Sequence, residues 1–169
     1  MSRSIRNAAI VITGSLAFVA IDAFAQDAVK DVQGQLDALK AALPKFAIPM
    51  REVGDRFQNM YFAAKGGNWA LAAYMSKYMN AAMNPASLTK PAEYPVWKGF
   101  YEGTFAPVNK AIQAKDFKAF ETAYTEVTNS CNGCHQAMGY GFIQVTKLDA
   151  PADNGVKYTV KSEPGDVPP

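Results

Sequence analysis

Histidine occurs once in this 169-residue sequence and cysteine twice. Three such side chains fall short of a closed zinc site, and two cysteines cannot build a disulfide scaffold. Neither sign of charge prevails, with 17 lysines and arginines against 15 aspartates and glutamates, so nothing points to a nucleic-acid partner. The small basic cluster Lys110, Lys115 and Lys118 reads as a solvated helix face. Alternation of period two is scarce: only residues 156–160 show it, too short a piece to make a sheet. No internal repeat occurs, and beyond the N-terminus no second long apolar run exists.

The N-terminus carries Arg3 and Arg6, an apolar stretch over 8–21 broken by Thr13, Gly14 and Ser15, and then Ala23-Phe24-Ala25. This order predicts a signal peptide over 1–25, cleaved before Gln26, and export to the periplasm. The apolar stretch is shorter than the roughly 20 residues a spanning helix needs. No cysteine stands near the cleavage site to take a lipid, so the mature chain is expected to be soluble, with no stable membrane span. Removing Arg3, Arg6 and Asp22 leaves 15 basic against 14 acidic residues on a chain of single-domain size.

Helical periodicity runs through most of that chain. Val29, Val32, Leu36, Leu39 and Leu43 recur at intervals of three and four, and Pro44 ends the pattern. A second helix is expected from about Pro49, with Met50, Val53, Phe57, Met60 and Ala64 on one face, stopped by Gly66-Gly67. Asn68 is the predicted N-cap of a third, Trp69 to about Met83, with Leu71, Met75, Tyr78 and Ala82 inward. A proline-containing connection, 85–95, leads to a fourth over 96–115, with Trp97, Tyr101, Thr104, Val108 and Ala111 in register and Pro107 forcing a kink or a fresh start. The fifth opens at Asp116 and aligns Phe117, Phe120, Tyr124, Val127, Cys131 and Cys134. The expectation is an all-α domain over 26–143, an antiparallel four-helix bundle with an additional N-terminal helix. An extended or disordered tail is expected over 144–169, rich in proline and glycine.

The last of these helices holds the most specific signal, Cys131-Asn132-Gly133-Cys134-His135. Cys-x-x-Cys-His is the attachment pattern of a c-type haem. On a helix, residues at i, i+3 and i+4 share one face, so two thioether bonds can tether the porphyrin edge while the imidazole turns to the iron. Thioredoxin-like exchange would need alternating strands and helices around the motif, and a plain disulfide is the remaining rival in an exported chain. Because both cysteines continue the apolar stripe, the haem is expected to face the core.

A haem motif on the last helix of a helical bundle resembles class II c-type cytochromes, the cytochrome c-prime and cytochrome c556 group. The resemblance covers roughly residues 46–140 and rests on Cys131, Cys134 and His135, with Arg56-Phe57-Gln58-Asn59-Met60 similar to an arginine followed four residues later by the residue over the distal haem face. It implies one covalent haem c, His135 as proximal iron ligand and Met60 as the residue over the distal face. Arg56, one turn from Met60, reads either as a guanidinium reaching a haem propionate or as a solvated surface arginine. The helix at 27–43 and the long tail depart from that pattern.

With His135 committed, the sixth ligand within the chain is expected to be a methionine: Met50, Met60, Met75, Met79, Met83 or Met138, with Met60 first. The plain reading of each is core filling, including the Met75, Met79, Met83 stripe, which could otherwise suggest a copper(I) site. The expected function is single-electron carriage between periplasmic redox proteins, without enzymatic activity. The alternative is a five-coordinate protein binding nitric oxide or carbon monoxide. A peroxidase would ordinarily need a distal acid-base group, and no second histidine exists to provide one. The N-terminal stripe points to burial on the bundle or in a homodimer.

Overall fold

Gly67 and Lys115, both with positive φ, and the capping residues Asn68 and Asp116 punctuate an all-α chain. The computed structural model describes residues 25–151 and 154–168, and the predicted signal peptide lies outside the described residues save Ala25. The chain divides into two units between Leu43 and Pro44. The first shows one helix, α1, over 25–42, on which Val29, Val32, Leu36 and Leu39 are exposed.

The second unit contains α2 (Ala47–Gly66), α3 (Trp69–Ala82), α4 (Ala86–Thr89), α5 (Tyr94–Gly99), α6 (Ala106–Ala114) and α7 (Phe117–Ala137). Among the described residues there is no β-strand, only a single bridge between Asn68 and Ser162. Gly67 ends α2 in the left-handed conformation (φ 79°), where a side chain would strain the backbone. Asn68 then opens α3 by accepting from Leu71 N–H at 3.2 Å. Helix α2 packs on α3, α3 on α6, α6 on α7, and α7 on α2, enclosing one core. At its centre Phe57 stacks on Tyr124, with ring centroids 4.0 Å apart and planes 4° apart.

Two of the predicted faces are turned. On α3 the inward residues are Ala72, Met75, Ser76 and Met79, followed by Met83, while Tyr74 and Tyr78 pair outside at 4.5 Å. The flexible methionine stripe therefore fills the interior, as core packing requires, and the larger phenols keep their hydroxyls wet. Between α5 and α6 the chain makes a π-helical turn, Phe100–Thr104, closed by Phe105 N–H donating to Phe100 C=O at 2.9 Å. That extra residue puts Phe105 inside and Thr104 outside, where straight periodicity predicts the reverse. Pro107, which has no N–H to give, stands in the first turn of the restarted helix α6.

Residues 144–151 and 154–168 carry little helix but follow the surface of the second unit as a strap. Lys147 reaches the Tyr61 hydroxyl (3.3 Å) and Glu121 (3.5 Å), and Tyr61 donates to Glu121 at 2.8 Å. The hydroxyl holds the Glu121 carboxyl below the ordinary carboxylate range, while burial, then Glu121, raises the phenol of Tyr61. Further on, Tyr158 donates to Asn59 (2.7 Å), Asn68 donates to Lys157 C=O (3.2 Å), and Ser162 donates to Asn68 (2.7 Å) and accepts from Ala70 N–H (2.9 Å).

Candidate functional site

Helix α7 begins on the Asp116 carboxylate, which accepts from Ala119 N–H at 3.0 Å. Its burial then fades toward the C-terminus: Val127 is buried, Cys131 and His135 are half-buried, and Cys134 is exposed. The apolar stripe thus reaches only Cys131, at the rim of the core, and Cys134 lies beyond it. The reason is the length of the neighbour. Phe57 faces Tyr124 and Tyr61 faces Phe120, so α2 and α7 run antiparallel, and α2 begins at Ala47. Carried along that register, Cys131 stands level with Met50 and His135 with Phe46, the last residue before the helix starts.

Gly139, at φ 81°, reverses the chain after α7. Tyr140 N–H donates to His135 C=O (2.7 Å) and Gly139 N–H to Gln136 C=O (3.2 Å), the paired bonds of a Schellman ending. The returning chain runs back along the helix. His135 Nδ1 lies 2.8 Å from Ile143 C=O. A carbonyl can only accept, so Nδ1 carries the proton and a neutral imidazole keeps its lone pair on Nε2, which has no hydrogen-bond partner among the described residues. Three residues earlier on the helix, Asn132 takes both backbone groups of Val145: its Nδ2 donates to Val145 C=O (2.9 Å) and its Oδ1 accepts from Val145 N–H (2.7 Å).

Both cysteines are free thiols. Burial, and after it the neighbouring Cys134, pushes the Cys131 thiol up to about 11. An attacking thiol in disulfide exchange needs the opposite shift, so Cys131 lacks the activation that thioredoxin-like chemistry asks of its nucleophile. Two thiols and an imidazole nitrogen presented from the end of one helix, with apolar residues alongside, fit a covalently held haem. Met138, Tyr140, Phe142 and Ile143 supply those apolar groups and are exposed next to the motif.

The structure does not bring Met60 or Arg56 to this motif. Met60 is wholly buried beside Tyr61, level with Glu121, fourteen residues up α7 from His135, which is about 21 Å at the helical rise. Arg56 faces α3: it pairs with Glu52 at 3.1 Å, and its guanidinium lies 5.8 Å from the centre of the Tyr78 ring. It lines a surface hollow of about 320 Å³ with Ile48, Pro49, Glu52, Tyr78 and Ala82 among others. Of the other methionines, Met75, Met79 and Met83 lie in the core, Met138 is exposed just past the motif, and Met50 is half-buried. Among the described residues no group of histidine, cysteine, aspartate and glutamate side chains could hold a bare metal ion.

Asn132, Ile143 and Val145 make contacts at the motif that sequence patterns do not single out. Spacing marks them weakly, since two are apolar residues in an irregular segment and their backbone atoms make the contacts. Gly139, four residues beyond His135, is the one local sign of a reversal. Comparison with family models, curated proteins and solved structures yields no match for this chain. Among the described residues no helix is long and apolar enough to cross a membrane.

Proposed function

We propose that the chain is a monohaem c-type cytochrome that carries single electrons between periplasmic redox proteins. Cys131 and Cys134 hold the haem through thioethers and His135 supplies the proximal ligand. The observation that carries this reading is the His135 imidazole, held by Nδ1 on Ile143 C=O with Nε2 unengaged, one residue beyond two free thiols. Metal-bound histidines ordinarily have such a second hydrogen bond, which fixes the tautomer and raises ligand basicity. The ring of contacts α2, α3, α6, α7 supports a four-helix bundle of the class II type, with α7 as the haem helix.

When bound, haem c supplies a one-electron iron couple whose potential depends on its axial ligands and surroundings. The chain's own contribution is to tether it, orient the imidazole and exclude water with Met138, Tyr140, Phe142 and Ile143. The register of α2 on α7 favours Met50, the methionine of α2 nearest the motif's level, over Met60 for the sixth position. With Met60 buried away from the motif, an iron that Met50 does not reach would be five-coordinate and open to nitric oxide or carbon monoxide, which is the second reading. Export of the chain in cells carrying cytochrome c maturation proteins tests the assignment. Covalent haem should survive denaturing electrophoresis in the native chain and vanish in C131S/C134S. Absence of covalent haem from the native chain would refute it. A carbon monoxide difference spectrum of the reduced protein then separates the two readings.

A further inference from the structure

Asn132 occupies a spacer position of the Cys-x-x-Cys-His motif, where the chemistry of attachment asks for no particular side chain. Its environment is nonetheless specific. One amide engages both the N–H and the C=O of Val145, at 2.7 and 2.9 Å, the two bonds a neighbouring β-strand would offer. Asn132 and His135 lie three apart on one face of α7, and their partners, Val145 and Ile143, lie two apart on the returning chain. Only Gln144 separates the two, so fixing both backbone groups of Val145 restricts the directions open to the Ile143 carbonyl.

We propose that Asn132 is a positioning residue for the haem ligand: it clamps the returning segment so that Ile143 C=O holds His135 in the Nδ1–H tautomer with Nε2 free. The inference rests on the haem reading for its purpose, while the clamp itself is a property of the chain. Without Asn132, Gly139 and the Schellman bonds still reverse the chain, but nothing else on the motif holds Val145. Ile143 C=O would then sample other directions, the Nδ1 hydrogen bond would loosen, and the imidazole would become a weaker donor to a ferric centre.

The experiment uses the full, ¹⁵N-labelled chain produced with maturation proteins, in native, N132L and N132D forms. Amide exchange at Val145 and exchange of the His135 Nδ1 proton are followed by NMR, and the reduction potential is measured where haem is attached. In N132L both exchange rates should rise about fivefold or more, the loss of a hydrogen bond of ordinary net strength, and the potential should move positive. N132D keeps the acceptor for Val145 N–H and should recover most of that amide's protection. Faster exchange at Val145 with the Nδ1 proton unmoved would reduce Asn132 to a structural residue and overturn the proposal. So would an unprotected Val145 amide in the native chain, a measurement that stands even if N132L does not fold. If no haem attaches, the cytochrome reading falls, and the two exchange rates still decide the clamp.

Discussion

Replacing Met60 by leucine should leave the haem spectrum unchanged, and the reason is geometric. Tyr61 donates to Glu121 and packs on Phe120, which places the neighbouring Met60 some fourteen residues up α7 from His135. That is about 21 Å along the helix axis. Two side chains and two metal–ligand bonds of about 2 Å each do not bridge such an offset. Met60 instead fills a site with no solvent exposure. Met60→Leu nearly conserves volume and should cost under about 1.5 kcal/mol, whereas Met60→Ala should cost about 2–5 kcal/mol through the cavity left behind. Met50 is half-buried at the motif's level, so Met50→Leu should barely change stability but should abolish any methionine-to-iron charge-transfer band. Absorption spectra of oxidised and reduced protein, with thermal unfolding of the same samples, read both effects. Loss of the charge-transfer band in a folded Met60→Leu protein, with Met50→Leu unaffected, would refute the register argument.

Tyr61→Phe tests the contact between strap and core. Because the folded-state value of Glu121 is depressed, its stabilising contribution is full above the ordinary carboxylate range and is lost as pH falls through the depressed value. The variant should therefore lose less stability than the native chain on acidification from pH 6 to pH 3, as denaturant midpoints would reveal. Asn68→Ala removes an N-cap and two strap contacts together, and should destabilise by about 1–3 kcal/mol in denaturant unfolding. Gly66→Ala would drive a Cβ into Tyr158 C=O, so residues 154–168 should become cleavable under limited proteolysis that leaves the native chain intact. Gly139→Ala forces an alanine to φ 81°, should cost about 1–2 kcal/mol, and should speed exchange of the His135 Nδ1 proton.

Much of the local structure was legible in the order of residues. Asn68 and Asp116 cap the helices that their positions predict, Gly67 ends α2, and Pro107 marks a restart, because each acts through its own backbone and near neighbours. Facing was less legible. The π-helical turn at Phe100–Thr104 adds a residue that no apolar spacing records, and it exchanges Thr104 for Phe105 in the core. On α3 the periodic pattern admits two neighbouring stripes. Packing chose the one with small Ala72 and Ser76, whose hydroxyl meets Tyr101 of the π-helical turn and Asn109 of α6.

The candidate site divides in the same way. Sequence alone determined the helical class of the chain, the common face of Cys131, Cys134 and His135, and the chemistry those three residue types could perform, since covalent spacing on a helix sets all of them. Only the tertiary structure decided that α2 runs out beside the motif, that Met60 and Arg56 lie away from it, and that Ile143 and Val145 return to hold His135 and Asn132. Helix register, chain reversal and the direction of a backbone carbonyl arise from segments meeting at a distance. No spacing within one segment encodes them.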